Sequence, residues 1–342
     1  MRRGSTAMNA TPYQWQPWSK KRVVLSALTA SYPFGSRALL PLNLTPGELA
    51  AQQERRNARW TELRAWRRLL DLMIDEGPAG KLSPSSHFAE LNGDRRRPYS
   101  EALGRAMCKL IAGDHFGVPI LERAEDLRAA GRLTAAGGAG RRIADLVGVD
   151  FTRKWHVFEA KGYAKPTVQN SALEKAVDQA RTVATVDGAP PKCSGCVTAT
   201  LASPLAVGIV DPPPKRNGID ISLTTGDLVV SHYELFAGLL GSRLSEVVTT
   251  AGLDFAVLPL DDDLLLGLRA DIAEIVVKFG VGEAEPTRAA KRRLGESVLD
   301  ALHLPPRLNR DHTNIPIDRP LNGENMVLDR DGFALLPGLR SG

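Results

Sequence analysis

The sequence predicts a mixed α/β fold, with a mixed sheet flanked by helices. Two short apolar runs, residues 143–149 and 155–161, have the length of strands and are separated by a polar turn of five residues. Helical periodicity precedes them at residues 100–112 and follows them at residues 171–185. Alternation of strand-length runs with amphipathic helices is typical of α/β proteins, in which helices cover the faces of the sheet.

The regions on either side carry further elements. A long amphipathic helix is predicted at residues 45–74, and a linker rich in Gly, Pro, Ser and Asn at residues 77–97. Strands are predicted at residues 22–28, 118–123, 196–201, 205–210 and 219–223. The chain from residue 227 onward is predicted to be mainly helical, with helices at 261–279 and 286–302 and a closing hairpin around 329–332.

These elements divide the chain of 342 residues into three segments. We expect an N-terminal tail and helical segment at residues 1–94, a central core at 95–235, and a C-terminal mainly helical region at 236–342. The helical N- and C-terminal segments then extend a central α/β unit. A chain of this length exceeds what one small core needs, so several units are expected.

Composition predicts a globular protein of a reducing compartment. Hydrophobic residues make up 43% and charged residues 24%, which excludes a disordered chain. Three cysteines are too few for a disulfide framework, and the first residues lack the apolar stretch of a signal peptide. No run approaches the roughly 18 apolar residues of a membrane span. A cytoplasmic location without membrane association is therefore the expectation.

The two central runs predict a hairpin that brings two acids together. Side chains two residues apart on a strand point to the same face, so Asp145, Glu159 and Lys161 share one face. The predicted cross-strand pairs are Val149 with Trp155, Val147 with Val157, Asp145 with Glu159, and Ile143 with Lys161.

Two carboxylates in directly opposed positions repel each other and require a counter-charge. A hard divalent cation such as Mg²⁺ prefers carboxylate and water oxygens. Lys161 projects from the same face and is suited to neutralise a phosphate, or to orient and deprotonate a metal-bound water. The sequence therefore predicts a metal-dependent phosphodiesterase site at Asp145, Glu159 and Lys161.

A plain surface hairpin is the alternative, with the acids facing solvent and Lys161 paired with one of them. Apolar residues on both faces of the hairpin argue against it. Val147 and Val157 share the face of the acids, while Leu146 and Phe158 occupy the other. Acids at the margin of a sheet that is buried on both faces favour a functional role.

Asp145 and the run Glu159-Ala160-Lys161-Gly162 resemble the core motif of the PD-(D/E)XK nucleases, which have the restriction-endonuclease-like fold. The resemblance covers residues 97–235, with the tight match at 143–179. It implies hydrolysis of phosphodiester bonds with one or two Mg²⁺ ions, for which Mn²⁺ is a substitute. Asp145 and Glu159 would bind the metal, the carbonyl of Ala160 would add a ligand, and Lys161 would assist the attacking water. Ala144 stands where the family name implies Pro, and this change leaves the metal ligands intact.

The same resemblance implies two further catalytic candidates. Gln179 lies on the helix that follows Lys161, and Glu101 lies on the first helix of the core. A solvated helix position for Gln179 and an exposed acid in a first helical turn for Glu101 stay open as alternatives. Val183 stands where some relatives carry Tyr after the Gln.

Basic residues around the motif predict a groove for a nucleic-acid backbone. The formal net charge of +5 is compatible with a polyanionic partner. The candidate phosphate-binding residues are Arg141, Arg142, Lys165 and Lys175. The resemblance favours DNA over RNA.

Other partners and roles stay open at this point. The terminal helical regions would serve a homodimer or a protein partner. A non-catalytic nucleic-acid-binding or scaffold protein that keeps the nuclease fold is the main alternative to an enzyme. Convergence of Asp145, Glu159 and Lys161 on one point in space would favour the enzyme.

Overall fold

The computed structural model describes residues 71–77, 81–136, 143–212, 218–241, 246–250, 252–261, 264–279, 287–303 and 326–337, together with residues 23, 54, 57, 60, 61, 63–65, 67 and 68. Its helices are α1 (Ser86–Glu90), α2 (Gly93–Phe116), α3 (Ala124–Ala129), α4 (Asn170–Ala180), α5 (Thr225–Gly241), α6 (Ala270–Lys278) and α7 (Arg288–His303). Its strands are β1 (Ile74–Glu76), β2 (Leu82–Pro84), β3 (Ile120–Arg123), β4 (Thr134–Ala135), β5 (Leu146–Val149), β6 (Trp155–Tyr163), β7 (Val183–Val186), β8 (Lys192–Ala199), β9 (Ala206–Val210), β10 (Ile219–Ser222), β11 (Glu246–Thr250), β12 (Leu253–Asp261), β13 (Leu264–Arg269), β14 (Val327–Leu328) and β15 (Phe333–Pro337).

The N-terminal predictions fall partly outside these ranges. All described residues between 54 and 73 are helical, as predicted for residues 45–74. The first part of that helix lies outside the described residues, as does the strand predicted at 22–28 except for Val23. Val23 is helical and buried.

The central sheet has the strand order β3-β5-β6-β8-β9. Strands β6 and β8 are parallel, and the other neighbours are antiparallel. Parallel neighbours need a crossover connection, and α4 lies between β6 and β8 in the chain. Gly195 of β8 lets α4 approach the sheet closely, because a Cβ there would lie 2.7 Å from the backbone nitrogen of Val177.

Helix α2 covers the other face of the same sheet. A Cβ at Gly162 of β6 would lie 1.6 Å from the carbonyl oxygen of Ser100, so the two backbones are in direct contact. Gly162 and Glu159 point to opposite faces by strand alternation, and Gly195 stands opposite Glu159 in the register. A mixed sheet between helices is the arrangement that the sequence predicts, and the mixed α/β class is confirmed.

The β5–β6 hairpin contains two of the four predicted pairs in the predicted register, and the pairs predicted for Asp145 and Ile143 lie beyond the end of the ladder. Val149 stands opposite Trp155, and Val147 opposite Val157. The ladder ends at the pair formed by Leu146 and Phe158, so Asp145 lies one residue before the start of β5. Side-chain hydrogen bonds replace the ladder at that point.

The C-terminal region contains a second sheet, and the prediction of a mainly helical region there is wrong. Strands β11–β15 are antiparallel, in the order β11-β12-β13-β15-β14. Residues 261–279 are not one helix, because they include all of β13 before α6 begins. Every residue of β13 is buried, and a strand buried on both faces lacks the alternation that separates it from a buried helix. The helix predicted at 286–302 and the closing hairpin are confirmed as α7 and the β14–β15 turn.

Two further predictions are corrected. The linker predicted at residues 77–97 contains β2, α1 and the start of α2. Its polar residues are helix caps, since Ser85 Oγ accepts from the N–H of Phe88 and Asn92 Oδ1 from the N–H of Arg95. The helix predicted at 171–185 ends at Ala180, and β7 follows it into a three-stranded sheet of order β4-β10-β7.

One hydrophobic core joins the three predicted segments. It contains Trp60 from the first, Leu121 from the second and Phe333 from the third. The boundaries predicted at 94/95 and 235/236 fall inside α2 and α5, and they stay predictions. No helix in the described ranges combines the length and the apolar character needed to cross a bilayer.

A buried ionic network fixes the β14–β15 turn to the central layer. Asp331 Oδ2 lies 2.6 Å from Lys109 Nζ of α2 and 3.2 Å from His232 Nε2 of α5. His232 Nδ1 lies 2.6 Å from Glu122 Oε1 of β3. Burial and Lys109 lower the pKa of His232, but the hydrogen bonds to Asp331 and Glu122 outweigh them and raise it. The imidazole thus lies between two carboxylates, which favour its charged form.

Candidate active site

Lys161, Asp145 and Glu159 meet at one point beside the start of β5. Lys161 Nζ lies 3.5 Å from Asp145 Oδ2 and is in direct contact with Glu159 Oε1. The Glu159 side chain is fully buried, whereas Asp145 and Lys161 retain 33% and 21% of their side-chain exposure. A ligand from solvent therefore meets Asp145 and Lys161 first, with Glu159 beneath them.

Two hydrogen bonds fix the acids to the backbone. The N–H of Asp145 donates to Glu159 Oε2 at 3.1 Å, and the N–H of Ala160 donates to Asp145 Oδ2 at 3.2 Å. The carbonyl of Asp145 accepts from the N–H of Ala124 at 3.0 Å, which holds its backbone against the start of α3. Each carboxylate thus accepts a hydrogen bond from the backbone beside the other.

Helix α2 supports the strand that carries Glu159 and Lys161. A Cβ at Gly104 would lie 2.5 Å from the backbone nitrogen of Gly162 and 2.7 Å from the carbonyl carbon of Lys161. The hydroxyls of Ser100 and Thr200 lie 3.0 Å apart across the same contact. These small residues allow the helix and the strand to touch, so the end of β6 has little freedom to move.

The donor set fits a hard divalent cation of the Mg²⁺ type. The carboxylates of Asp145 and Glu159 both contact the ammonium group of Lys161, so both can contact a single cation. In the part of the chain that is described, no group of three or more His, Cys, Asp or Glu side chains is arranged around a metal position. Mg²⁺ commonly takes one or two carboxylates and completes its shell with waters and substrate phosphates, so the pair meets its needs.

The carbonyl of Ala160 is placed to join that donor set. The N–H and C=O groups of one strand residue point towards the same neighbouring strand. The N–H of Ala160 points at Asp145, so its carbonyl lies on the same side of β6 as the two acids. The position implied by the motif therefore agrees with the backbone direction.

Glu101 lies apart from the acid pair. Its side chain is exposed, and Oε1 accepts from Nε of Arg97 at 3.0 Å, one turn earlier on α2. This is the exposed helical acid that the sequence left open as an alternative. Its link to the site is indirect, through the electrostatic influence of both Glu101 and Asp145 on Arg105.

The remaining predicted residues are not brought to the acids by any described contact. Gln179 is half-buried near the end of α4, and its Oε1 is buried without a hydrogen-bond partner among the described residues. Lys175 and Lys165 are exposed. Arg141 and Arg142 lie outside the described residues.

Arg105 of α2 is a neighbour of Asp145 that the sequence analysis did not identify. Burial lowers the pKa of its guanidinium and so does Arg123, while Asp145 and Glu101 act in the opposite direction. The sequence does contain an indication that Arg105 has a particular role. Arg105 and Lys109, four residues apart, are the charged residues of an otherwise apolar run at 102–112. A charge in a buried helix face requires a partner or a function.

Comparisons with known proteins leave this geometry as the main guide to function. A scan against protein-family models, a search of curated proteins and a search of solved structures each find no match to the chain.

Proposed function

We propose that this protein is a Mg²⁺-dependent nuclease that hydrolyses phosphodiester bonds of DNA, with the restriction-endonuclease-like fold as its core. The observation that carries the proposal is the contact of Lys161 with both Asp145 and Glu159 at the margin of a sheet covered on both faces. The order Asp, then Glu-Ala-Lys on the adjacent strand, is the order of the motif that the sequence resembles.

The burial of Glu159 supports a functional interpretation over a surface ion pair. A fully buried carboxylate is costly unless it is paired and hydrogen-bonded, and replacement of a whole buried ion pair by apolar residues is often neutral or stabilising. A stable sheet has no need of an acid here. An ion-binding role supplies a reason for an acid at this position, since a divalent cation requires negative oxygen donors.

The chemistry divides among the three side chains. A Mg²⁺ ion held by Asp145 and Glu159 would supply Lewis acidity, which acidifies a nearby water and offsets charge on the phosphate. Asp145 and Glu159, fixed by backbone hydrogen bonds, hold the donor oxygens in place without reorganisation during the reaction. Lys161 donates hydrogen bonds to the attacking water or to a phosphate oxygen and keeps negative charge from accumulating.

A cleavage assay with matched variants tests the proposal. Plasmid, linear and single-stranded DNA are incubated with Mg²⁺, Mn²⁺ or EDTA, with RNA as a further substrate. Asp145→Asn and Lys161→Gln should each lower the cleavage rate by on the order of 100-fold or more, because each removes a charged group of the reacting centre. Asp187→Asn, at an exposed turn position with φ of 50°, serves as the control and should cleave normally.

Two results would overturn the proposal. One is cleavage that persists in EDTA and in both site variants. The other is DNA binding without cleavage under any of the metal conditions, which would favour the non-catalytic nucleic-acid-binding protein.

A further inference from the structure

Arg105 is a positively charged residue near the site that makes no hydrogen bond or ion pair with its side chain among the described residues. Its Nε is buried without a hydrogen-bond partner among the described residues, and no ion pair within them reaches its guanidinium. Of its nitrogens, Nε alone is enclosed in this way, and a buried N–H donor without an acceptor is unfavourable. The terminal N–H donors of the half-buried side chain remain open to an acceptor from outside the chain.

The position of Arg105 follows from the contact between α2 and β6. Gly104, the preceding residue, lies against the backbone of Lys161 and Gly162. After burial and Arg123, Asp145 is the next influence on the pKa of the guanidinium, so the two side chains interact electrostatically. Lys161 and Arg105 thus approach Asp145 from different elements, one from a strand and one from a helix.

The neighbouring cations are already engaged, unlike Arg105. Arg123 lies 3.2 Å from Glu125 and 3.3 Å from Asp126. Lys161 contacts both acids of the site, and Arg97 is paired with Glu101. A ligand with negative oxygens can bind Arg105 without breaking an ion pair.

We infer that Arg105 binds the non-bridging oxygens of a backbone phosphate of the nucleic acid, on the α2 side of the acid pair. This inference rests on the proposed function and names a substrate contact of the same site. A guanidinium matches two phosphate oxygens with two parallel N–H donors, which an ammonium cannot do. Arg105 is accordingly a substrate-binding residue and Lys161 the one beside the reacting water.

Formal charge gives the same result. Asp145 and Glu159 contribute two negative charges, and Lys161 and Arg105 offset them. Without Arg105 the centre carries a net negative charge and repels a phosphodiester backbone. With it, the formal charges of these four side chains sum to zero before any metal is bound, which removes their net repulsion of a polyanion.

DNA binding in EDTA tests this contact separately from cleavage. The affinity of the full chain for a short fluorescein-labelled DNA duplex is measured by anisotropy over a series of salt concentrations. Arg105→Gln should raise Kd by about 10-fold and reduce the slope of log Kd against log salt by about 0.9, which corresponds to one phosphate contact. Arg105→Lys should keep the salt slope, because the positive charge remains. It should raise Kd, because an ammonium cannot donate two parallel hydrogen bonds to the phosphate.

Controls separate a phosphate contact from a structural role. Arg293→Gln, at an exposed position of α7, should leave both Kd and the slope unchanged. A lower melting temperature of Arg105→Gln with an unchanged slope would overturn the inference, as would a wild-type chain that does not bind DNA. If Arg105→Gln weakens DNA binding as expected but the wild-type chain does not cleave DNA in Mg²⁺, the result counts against the proposed nuclease activity and not against the phosphate contact.

Discussion

The carboxylate of Asp145 accepts a hydrogen bond from the backbone N–H of Ala160, with Oδ2 3.2 Å from the nitrogen. The adjacent backbone ladder has ended one residue earlier, at Leu146 and Phe158. The side chain therefore continues the pairing of two strands that the backbone no longer makes. An acid held in this way keeps its orientation whether or not a ligand is present, as a preorganised site requires.

Removal of the Lys161 charge should destabilise the protein. Lys161→Met leaves Glu159 as a fully buried carboxylate without its cationic partner, and we expect a loss on the order of 3 kcal/mol in the free energy of unfolding. Urea denaturation followed by circular dichroism measures this. Lys175→Met, at an exposed position, should change the free energy by less than about 0.5 kcal/mol.

The double variant Lys161→Met with Glu159→Gln distinguishes the cause of that loss. It should recover much of the stability, because the uncompensated charge is gone. Equal stability of wild type and Lys161→Met would show that the ammonium does not neutralise Glu159.

The His232 network should make stability depend on pH. The raised pKa of His232 means that its contribution is fully present below the ordinary value of 6.5 and is lost as pH rises through the higher value of the folded state. The stability difference between wild type and His232→Gln should therefore shrink as pH increases above 6.5. Thermal melts at several pH values measure it, with His87→Gln, at an exposed position of α1, as the control.

The contribution of Asp331 to stability changes with pH in the acidic range instead. Burial raises its pKa, but Lys109 and His232 outweigh burial and hold the pKa below the usual value. Its contribution is present above the ordinary carboxyl value and is lost as pH falls through the folded value. A stability difference between wild type and His232→Gln that stays constant from neutral to alkaline pH would contradict the raised pKa of the imidazole.

Gly162 should not tolerate a side chain. In Gly162→Ala the new Cβ would lie 1.6 Å from the carbonyl oxygen of Ser100, and a backbone atom cannot rotate away. We expect a loss of about 3 kcal/mol or more in the free energy of unfolding, since α2 has to move off β6. Gly93→Ala, where a Cβ meets nothing within 4 Å, is the matched control and should fold normally. A Gly162→Ala variant as stable as wild type would show that α2 and β6 are further apart.

The thiols should be protected in the native state. All three cysteines are buried; burial and Asp211 raise the pKa of Cys193 to about 11, and burial with a hydrogen bond to Cys196 raises that of Cys108. Because the thiolate is the reactive form, a disulfide reagent at mildly alkaline pH should react slowly with the folded chain and rapidly in urea. A cysteine that reacts at the same rate in both conditions would contradict its burial.

The hairpin was predictable from local sequence, and the second sheet was not. Alternation of apolar residues around a polar turn determined the register of Val147 with Val157, and hence the shared face of the acids. Leu264–Arg269 carries no such alternation, because both faces of β13 are covered. The pattern there is equally that of a buried helix.

The other residues that the sequence analysis missed owe their positions to contacts between elements that are distant in the chain. The place of Arg105 depends on how closely Gly104 lets α2 approach β6, and nothing in the run around Arg105 encodes that distance. His232 and Glu122 are 110 residues apart, so their pairing has no sequence period. Charged residues inside apolar helical runs, such as Lys109, were the available sign that such partners exist.

The long separation between Lys109 and Asp331, 222 residues, has a consequence for biosynthesis. The ribosome synthesises Lys109, Glu122 and His232 well before Asp331, the carboxylate that Lys109 and His232 both contact. Until Asp331 has been added, packing of this part of the core would bury one positive charge more than it buries negative charges, which is unfavourable. A chain that ends before Asp331 would lack the carboxylate that joins Lys109 to His232, and we expect it to be less stable than the full chain.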